Sequence, residues 1–238
     1  MKRALNFCIG LFLLLVTVAM PAFAGDVIDG VVASVNRQPI LRSDWDQAVR
    51  FEAFMQQKSL DQLTESDHVL ALQHLIDRQL LRAQMGDAKY MQPTDEVLQQ
   101  DIDKVRAQVP NGFDEGAWHK LLASYGLTQE IVKTHLRAEV QVMNFIEVRL
   151  RPNVHVPDED VQAYYHDQLI PDLEKTGAAT VTLNEVAPRI RELLTQQRID
   201  EMLDVWLHNL RQQAEIHSTV SVPGITATAE ATRASGLN

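Results

Sequence analysis

The chain has 238 residues, of which 32 are acidic and 22 are basic, so its net charge is −10 at pH 7. This acidic balance disfavours nucleic acid and anionic membrane surfaces as partners, because both attract basic patches. Cys8 is the only cysteine. A disulfide within one chain is therefore excluded, and stability must come from an apolar core, which a chain of this length can build.

The N-terminal segment 1–24 predicts an export signal. A charged start with Lys2 and Arg3 precedes an apolar run over residues 9–20, and the small-x-small sequence that ends at Ala24 is typical of a cleavage site. The apolar run is shorter than the ~20 residues that a spanning helix needs. We therefore expect a periplasmic protein that is cleaved after Ala24 and is not stably inserted in the membrane.

The segment behind the signal predicts a β-hairpin, with strands at Val31–Val35 and Ile40–Leu41. An isolated two-stranded hairpin is marginal in water, so it needs a further strand or a helix as support. Far along the chain, Glu215–Val220 alternates like a strand. We therefore expect Ile216–Val220 to pair with the hairpin.

Between the hairpin and that strand, apolar residues recur with the helical period. Helices are expected from Ser43 as N-cap to Gln57, from Ser66 as N-cap to Gly86, from Pro93 to a break at Pro110, around Trp118 up to Gly126, from Thr128 to Leu150, from Asp158 to Tyr165, and from Thr182 or Asn184 to Leu210. Pro152–Pro157 predicts a rigid extended linker, because each proline holds its predecessor out of the α region.

Two C-terminal stretches lack a clear pattern. Residues 166–181 are weakly patterned and predict a connector. Residues 221–238 are rich in Ala, Thr and Gly without periodicity, which predicts a disordered tail.

Several segments together carry a family resemblance. In chain order they are Leu75–Leu81, Thr94–Val97, Tyr125–Leu127, Val156–Val161 with Tyr164 and Tyr165, Asn184–Leu194, Trp206–Leu207 and Ala214–Ile216. Their order and spacing resemble the N-terminal helical module of SurA-type chaperones, followed by that family's C-terminal helix and closing strand. The resemblance implies a mainly α, multi-helix chaperone module, in which region 25–165 and region 182–220 complete one domain around a hairpin paired with a C-terminal strand.

The interval between those two regions departs from the family. SurA-like and PrsA-like proteins carry one or two parvulin prolyl isomerase domains there, whereas this chain has only the sixteen residues 166–181. Such an interval is too short for a domain. The resemblance therefore implies the chaperone module without the isomerase, and we do not expect an enzyme.

The resemblance implies an ATP-independent holdase that binds unfolded outer-membrane or secreted proteins through an apolar groove. The chain shows no glycine-rich phosphate-binding loop and no HExxH motif, so we expect no cofactor, no metal and no catalytic residue. An envelope assembly or scaffold factor that binds one folded partner is the alternative, and a prolyl isomerase is a weaker one. A homodimer stays open.

Candidate substrate-binding residues are the large apolar side chains of the first helix and of the mid-chain break. They are Trp45, Phe51, Phe54, Met55, Phe113 and Trp118. Methionine is adaptable and suits binding of varied partners. Core packing is the competing interpretation, and it is favoured for aromatic residues at helical spacing, since an i, i+3, i+4 stripe is also what a buried helix face requires.

Overall fold

The computed structural model describes residues 29–86, 92–179 and 181–223, so the predicted export signal lies outside the described residues. The elements in chain order are β1 (Val31–Val35), β2 (Gln38–Leu41), α1 (Arg42–Met55), α2 (Glu65–Met85), α3 (Asp95–Ala107), α4 (Glu115–Ser124), α5 (Gln129–Leu150), α6 (Asp158–Tyr164), a π-helical segment (Tyr165–Leu169), α7 (Ile170–Thr176), α8 (Leu183–Gln213) and β3 (Ile216–Ser218). The mainly helical fold with a small sheet is confirmed.

The three strands form one antiparallel sheet in the order β2-β1-β3. β1 and β2 are joined by Asn36 and Arg37, whose φ angles of 50° and 67° are those of the tight turns that favour hairpins. Val35 of β1 lies opposite Ile216 of β3, and the Asn36 N–H donates to the Glu215 carbonyl over 2.8 Å. The predicted pairing of the hairpin with the C-terminal strand is therefore confirmed.

The starts of the first two helices differ from the prediction. The N-cap of α1 is Leu41, whose N–H donates to the Asp44 carboxylate over 3.3 Å, while the predicted cap Ser43 donates its hydroxyl hydrogen to Asp29. α2 is capped by Thr64 instead of Ser66. The presence of a serine hydroxyl did not predict where these two helices begin, because a carboxylate three residues after the cap can accept the N–H of the cap residue.

The predicted connector is largely helical. α6, the π-helical segment and α7 run without a break from 158 to 176. Pro171 has no N–H to donate inside a helix, and it lies two residues after the i→i+5 turn at 165–169. The expected linker is also shorter than predicted, because Arg151–Asn153 form a 3₁₀ turn.

Buried side chains form three clusters. The first lies between the sheet, α2, α5 and α8, and includes Val32, Val35, Leu72, Ile76, Ile146, Ile199 and Ile216. The second joins α1, α3, α4 and α5, and includes Phe51, Phe54, Leu98, Ile102, Trp118, Leu122 and Val132. The third is smaller and holds the 158–176 helix on α8 through Val156, Val161 and Ile190.

The C-terminal elements are tied to the N-terminal ones by packing and by charge. Val222, which the sequence places in the tail, is buried in the first cluster; the rest of the predicted tail, 224–238, lies outside the described residues. The Arg211 guanidinium of α8 donates to both carboxylate oxygens of Asp77 on α2. The last helix therefore belongs to the same packed body as the hairpin.

Candidate functional site

An apolar groove opens between α1, α2, α5 and α8, with a volume of about 510 Å³. Its apolar lining consists of Phe51, Met55, Leu81, Val142, Met143, Ile146 and Leu207. Phe51 and Ile146 are buried and form the floor, whereas Met143 is 54% exposed. The groove thus combines a packed floor with a methionine side chain that can move, a combination that suits apolar ligands of varied shape.

Charged side chains surround the groove and are paired with one another. The carboxylate of Glu52 contacts His74 Nδ1 at 3.0 Å, and this hydrogen bond raises the pKa of His74. Arg78 Nη2 lies 3.6 Å from Glu139 Oε1. Burial raises the pKa of Glu139. The charged groups at the edge of the groove already have partners. The most favourable contribution to the free energy of ligand binding should therefore come from covering the apolar residues of the floor.

A second concavity of about 650 Å³, here called the arginine cleft, lies between the β1–β2 hairpin, α1, α2 and α5. Its lining is part polar and part apolar, and the polar members are Asn36, Gln38, Asp44, Gln47, Arg78, Gln79, Arg82, Thr134 and His135. Arg78 lines both concavities, so the arginine cleft and the apolar groove are neighbours.

His135 separates the arginine cleft from the second core. Its ring stacks on Phe51 with a centroid distance of 4.5 Å, and its Nε2 lies 3.2 Å from Gln47 Oε1. The residue is only 9% exposed. Burial lowers the pKa of His135 to about 4, and the positive charge of Arg78 adds to this effect, so the ring is neutral at pH 7.

The depressed pKa of His135 predicts acid sensitivity of the fold. Between pH 6.5, the ordinary histidine pKa, and pH 4 the unfolded chain takes up a proton that the folded chain does not. The free energy of unfolding should therefore fall by up to about 3 kcal/mol over this range. The contribution of His74 to the pH dependence of stability has the opposite sign, because its raised pKa adds stability below pH 6.5.

Urea unfolding at pH 7, 5 and 4 measures this loss of stability. Titration of carboxylates also changes the stability over this range, but equally in all variants, so the difference between variants reports on His135. His135→Gln should lose less stability on acidification than the wild type. His119→Gln is the control, since the His119 side chain is 64% exposed. Equal pH slopes for wild type and His135→Gln would contradict the assignment.

The structure separates the six predicted site residues. Met55 lines the apolar groove, and Phe51 lies beneath its surface with 1% exposure. Phe54 and Trp118 are buried in the second cluster with 2% and 0% exposure.

The other two lie elsewhere. Trp45 packs against the first cluster and donates its indole N–H to the His68 carbonyl over 2.7 Å. Phe113 is 64% exposed, outside the groove lining. Phe51 and Phe54 of α1 and Trp118 of α4 thus lie where core packing would place them, and client binding by any of the six residues stays a prediction.

Most of the groove lining was not singled out from the sequence. Val142, Met143 and Ile146 lie on α5, and Leu207 lies on α8. Met143 and Ile146 are three residues apart and so lie on one face of α5, but the helical period does not reveal which residues of that face the neighbouring helices leave uncovered. The exposure of Met143 depends on where α8 crosses α5.

Other kinds of site find no support in the part of the chain that the structure describes. Within 29–86, 92–179 and 181–223, no three His, Cys, Asp or Glu side chains are grouped to hold a metal ion. Among the same residues, none of the helices has both the length and the apolar character needed to cross a membrane.

A comparison with family models and a comparison with curated proteins both find proteins that are similar to this chain. A family model described as SurA-like N-terminal domain matches residues 1–146. Foldase protein PrsA of two Clostridium botulinum strains, Hall and ATCC 19397, is 25% identical over 226 residues, which cover 85% of this chain. The chain spans 65% of the length of these relatives.

A comparison with solved structures finds a chain from Campylobacter jejuni. It comes from work on the virulence factor PEB4 and the periplasmic protein Cj1289, described as two structurally related SurA-like chaperones. The TM-score is 0.46 at 13% identity, and the match covers 81% of this chain and 100% of the other.

Proposed function

Because the chain belongs to the SurA-like N-terminal domain family, we propose that it is an ATP-independent chaperone of the cell envelope that holds unfolded outer-membrane or secreted polypeptides. The apolar groove between α1, α2, α5 and α8 is the observation that supports this proposal. Its occupant is an extended segment of an unfolded client whose apolar side chains cover the groove floor.

The groove suits transient holding of a client. An unfolded segment loses conformational entropy when it is ordered on a surface, so a groove of this size gives modest affinity and lets the client leave without an energy source. The 54% exposed Met143 of α5 and the half-buried Met55 of α1 both line the groove. Their flexible thioethers can adapt to different aliphatic and aromatic side chains.

Two further parts of the proposal come from particular segments. SurA-like and PrsA-like proteins carry a parvulin domain where this chain has only residues 166–181, of which 166–176 are helical, so we propose that this chain holds clients without isomerising prolines. The sequence of residues 1–24 supports export into the periplasm with cleavage after Ala24.

Substitution of Met143 by glutamine tests the groove. An unfolded outer-membrane protein is diluted into the purified chain lacking residues 1–24, and aggregation is followed by light scattering. The wild type should suppress aggregation, and Met143→Gln should need a severalfold higher concentration, because a polar amide in the groove disfavours apolar contacts. Met143 is largely exposed, so the fold should persist.

Val148→Gln is the matched control, since Val148 lies on the same helix, is 59% exposed and does not line the groove. Undiminished aggregation at a molar excess of the wild type would refute the holdase. Equal loss of activity in both variants would place the client elsewhere on α5. Tight binding of one folded protein without general suppression would favour an assembly factor, and proline isomerisation above background would contradict the proposed absence of catalysis.

A further inference from the structure

Two arginines of α2 face the arginine cleft with few partners of their own. Arg78 and Arg82 are four residues apart on one helix face, where like charges repel. Arg78 has one recorded ion pair, with Glu139 at 3.6 Å. Arg82 has no hydrogen bond or ion pair to any of the residues that the structure describes. A guanidinium carries five N–H donors, so most of the donors of this pair are available.

The remaining lining leaves the arginine cleft positively charged. Among the described residues of the lining only Asp44 is acidic, and the Asp44 carboxylate already accepts the Leu41 N–H. From α5 the cleft is faced by Thr134 and by the neutral ring of His135. A cationic concavity is unexpected in a chain of net charge −10, and the repulsion between the two arginines contributes nothing to folding. The pair is therefore suited to an anionic ligand, which would replace the water around the exposed Arg82.

We propose that the arginine cleft binds a carboxylate of the polypeptide client whose apolar segment occupies the neighbouring apolar groove. This inference rests on the proposed holdase function. Arg78 lines both concavities, so a single extended segment can place an apolar side chain in one and a carboxylate in the other. The planar guanidinium fork matches a carboxylate in a bidentate arrangement, which ammonium groups cannot provide.

The hairpin edge favours recognition through side chains over addition of a client strand. Pro39 of the edge strand β2 has no N–H to donate to a further strand. The Gln38 carbonyl already accepts from Gln79 Nε2 over 3.3 Å. Since the usual backbone ladder of strand addition is unavailable here, the charged groups of α2 are the selective element of the arginine cleft.

Three fluorescent peptides with one common apolar segment test the proposal. The first carries an internal glutamate and an amidated terminus, the second has no acidic side chain but a free terminal carboxylate, and the third has glutamine and an amidated terminus. Binding to the full chain is followed by fluorescence anisotropy. The wild type should bind at least one carboxylate peptide about three- to tenfold more tightly than the third, as expected for a partly exposed charge-assisted pair, and less so at high salt.

Arg82→Gln should remove this preference while leaving the affinity for the third peptide unchanged. Arg82→Glu should reverse it, so that a lysine peptide binds more tightly than the glutamate peptide. Arg189→Gln is the matched control, because Arg189 is an exposed arginine of α8 that does not line either concavity. Thermal melts confirm that each variant is folded.

The outcomes separate this inference from the holdase proposal. Preference for the glutamate peptide alone identifies a side-chain carboxylate, and preference for the free terminus alone identifies a chain end; both support the inference. Equal affinity for all three peptides overturns the carboxylate site and leaves the apolar groove standing. Loss of preference in Arg189→Gln as well would show a general effect of net charge and would also overturn the site. No measurable binding of any peptide overturns both proposals.

Discussion

Replacing Trp118 with alanine should lower the free energy of unfolding by about 3–5 kcal/mol, the usual cost of removing a fully buried tryptophan. The side chain is 0% exposed and packs edge-on against Phe54, with ring centroids 5.8 Å apart. Its indole N–H donates to Gln129 Oε1 over 3.1 Å. The substitution therefore creates a cavity where α1, α4 and α5 meet.

Arg106 adds to this cost. Its guanidinium carbon lies 5.2 Å from the centroid of the Trp118 ring, and its Nε donates to the Gly112 carbonyl over 2.6 Å. Arg106 is only 7% exposed. Removing the indole takes away part of the surface that covers a buried cation, and buried charges depend strongly on their remaining contacts.

Phe113→Ala is the matched control, because Phe113 also contacts Arg106, with a distance of 5.7 Å to its ring centroid, but is 64% exposed. We expect this change to cost no more than about 1 kcal/mol, the value of an exposed cation–π contact. Urea unfolding followed by fluorescence measures both variants. If Trp118→Ala kept wild-type stability but lost client binding, Trp118 would be a client-binding residue after all.

The sheet was the part of the fold most accessible from sequence. Val31–Val35 is rich in valine, which favours strands, and Asn36 and Arg37 supply a two-residue turn, so local chemistry favours the hairpin. An unsupported hairpin requires a partner, and the alternating segment at Ile216 supplied a candidate that the family resemblance supported. A strand has few register choices once one face must be buried.

The groove was less accessible, for a physical reason. Met55, Leu81, Met143 and Leu207 come from four helices, and each also satisfies the helical stripe of its own element. Periodicity identifies the apolar face of a helix but not the part of that face left uncovered. Which part stays open depends on how the helices cross, and this is set by packing over the whole chain.

The electrostatic pattern of the arginine cleft was also beyond the sequence. Arg78 and Arg82 read as ordinary exposed residues of an amphipathic helix, one turn apart. Their significance comes from the hairpin and α5, which close around them and, of the residues that the structure describes, leave Asp44 as the one acidic side chain of the lining. The sequence does not show which charged side chains lie close to one another, so it cannot show that few acidic groups lie near these two arginines.

A chain that ends after Ala214 should be less stable than the full chain by about 3–6 kcal/mol, from the lost burial of Ile216 and Val222 at ~1.5–3 kcal/mol each. These residues are 7% and 5% exposed and belong to the first cluster. The Thr219 N–H, which donates to the Val32 carbonyl over 2.9 Å, is lost as well. Without β3 the hairpin retains only one strand pair, a marginal arrangement in water.

A chain that ends after Pro223 is the control for this truncation, because it retains β3 and Val222 and should unfold as the full chain does. A synthetic peptide of residues 215–223, added in excess, should restore stability to the shorter chain, since it binds only the folded state. Chemical unfolding followed by circular dichroism measures all three. Equal stability of the chains ending at 214 and 223 would show that the helices hold the hairpin without β3. Rescue by the peptide would show that strand pairing, rather than chain length, closes the domain around the groove.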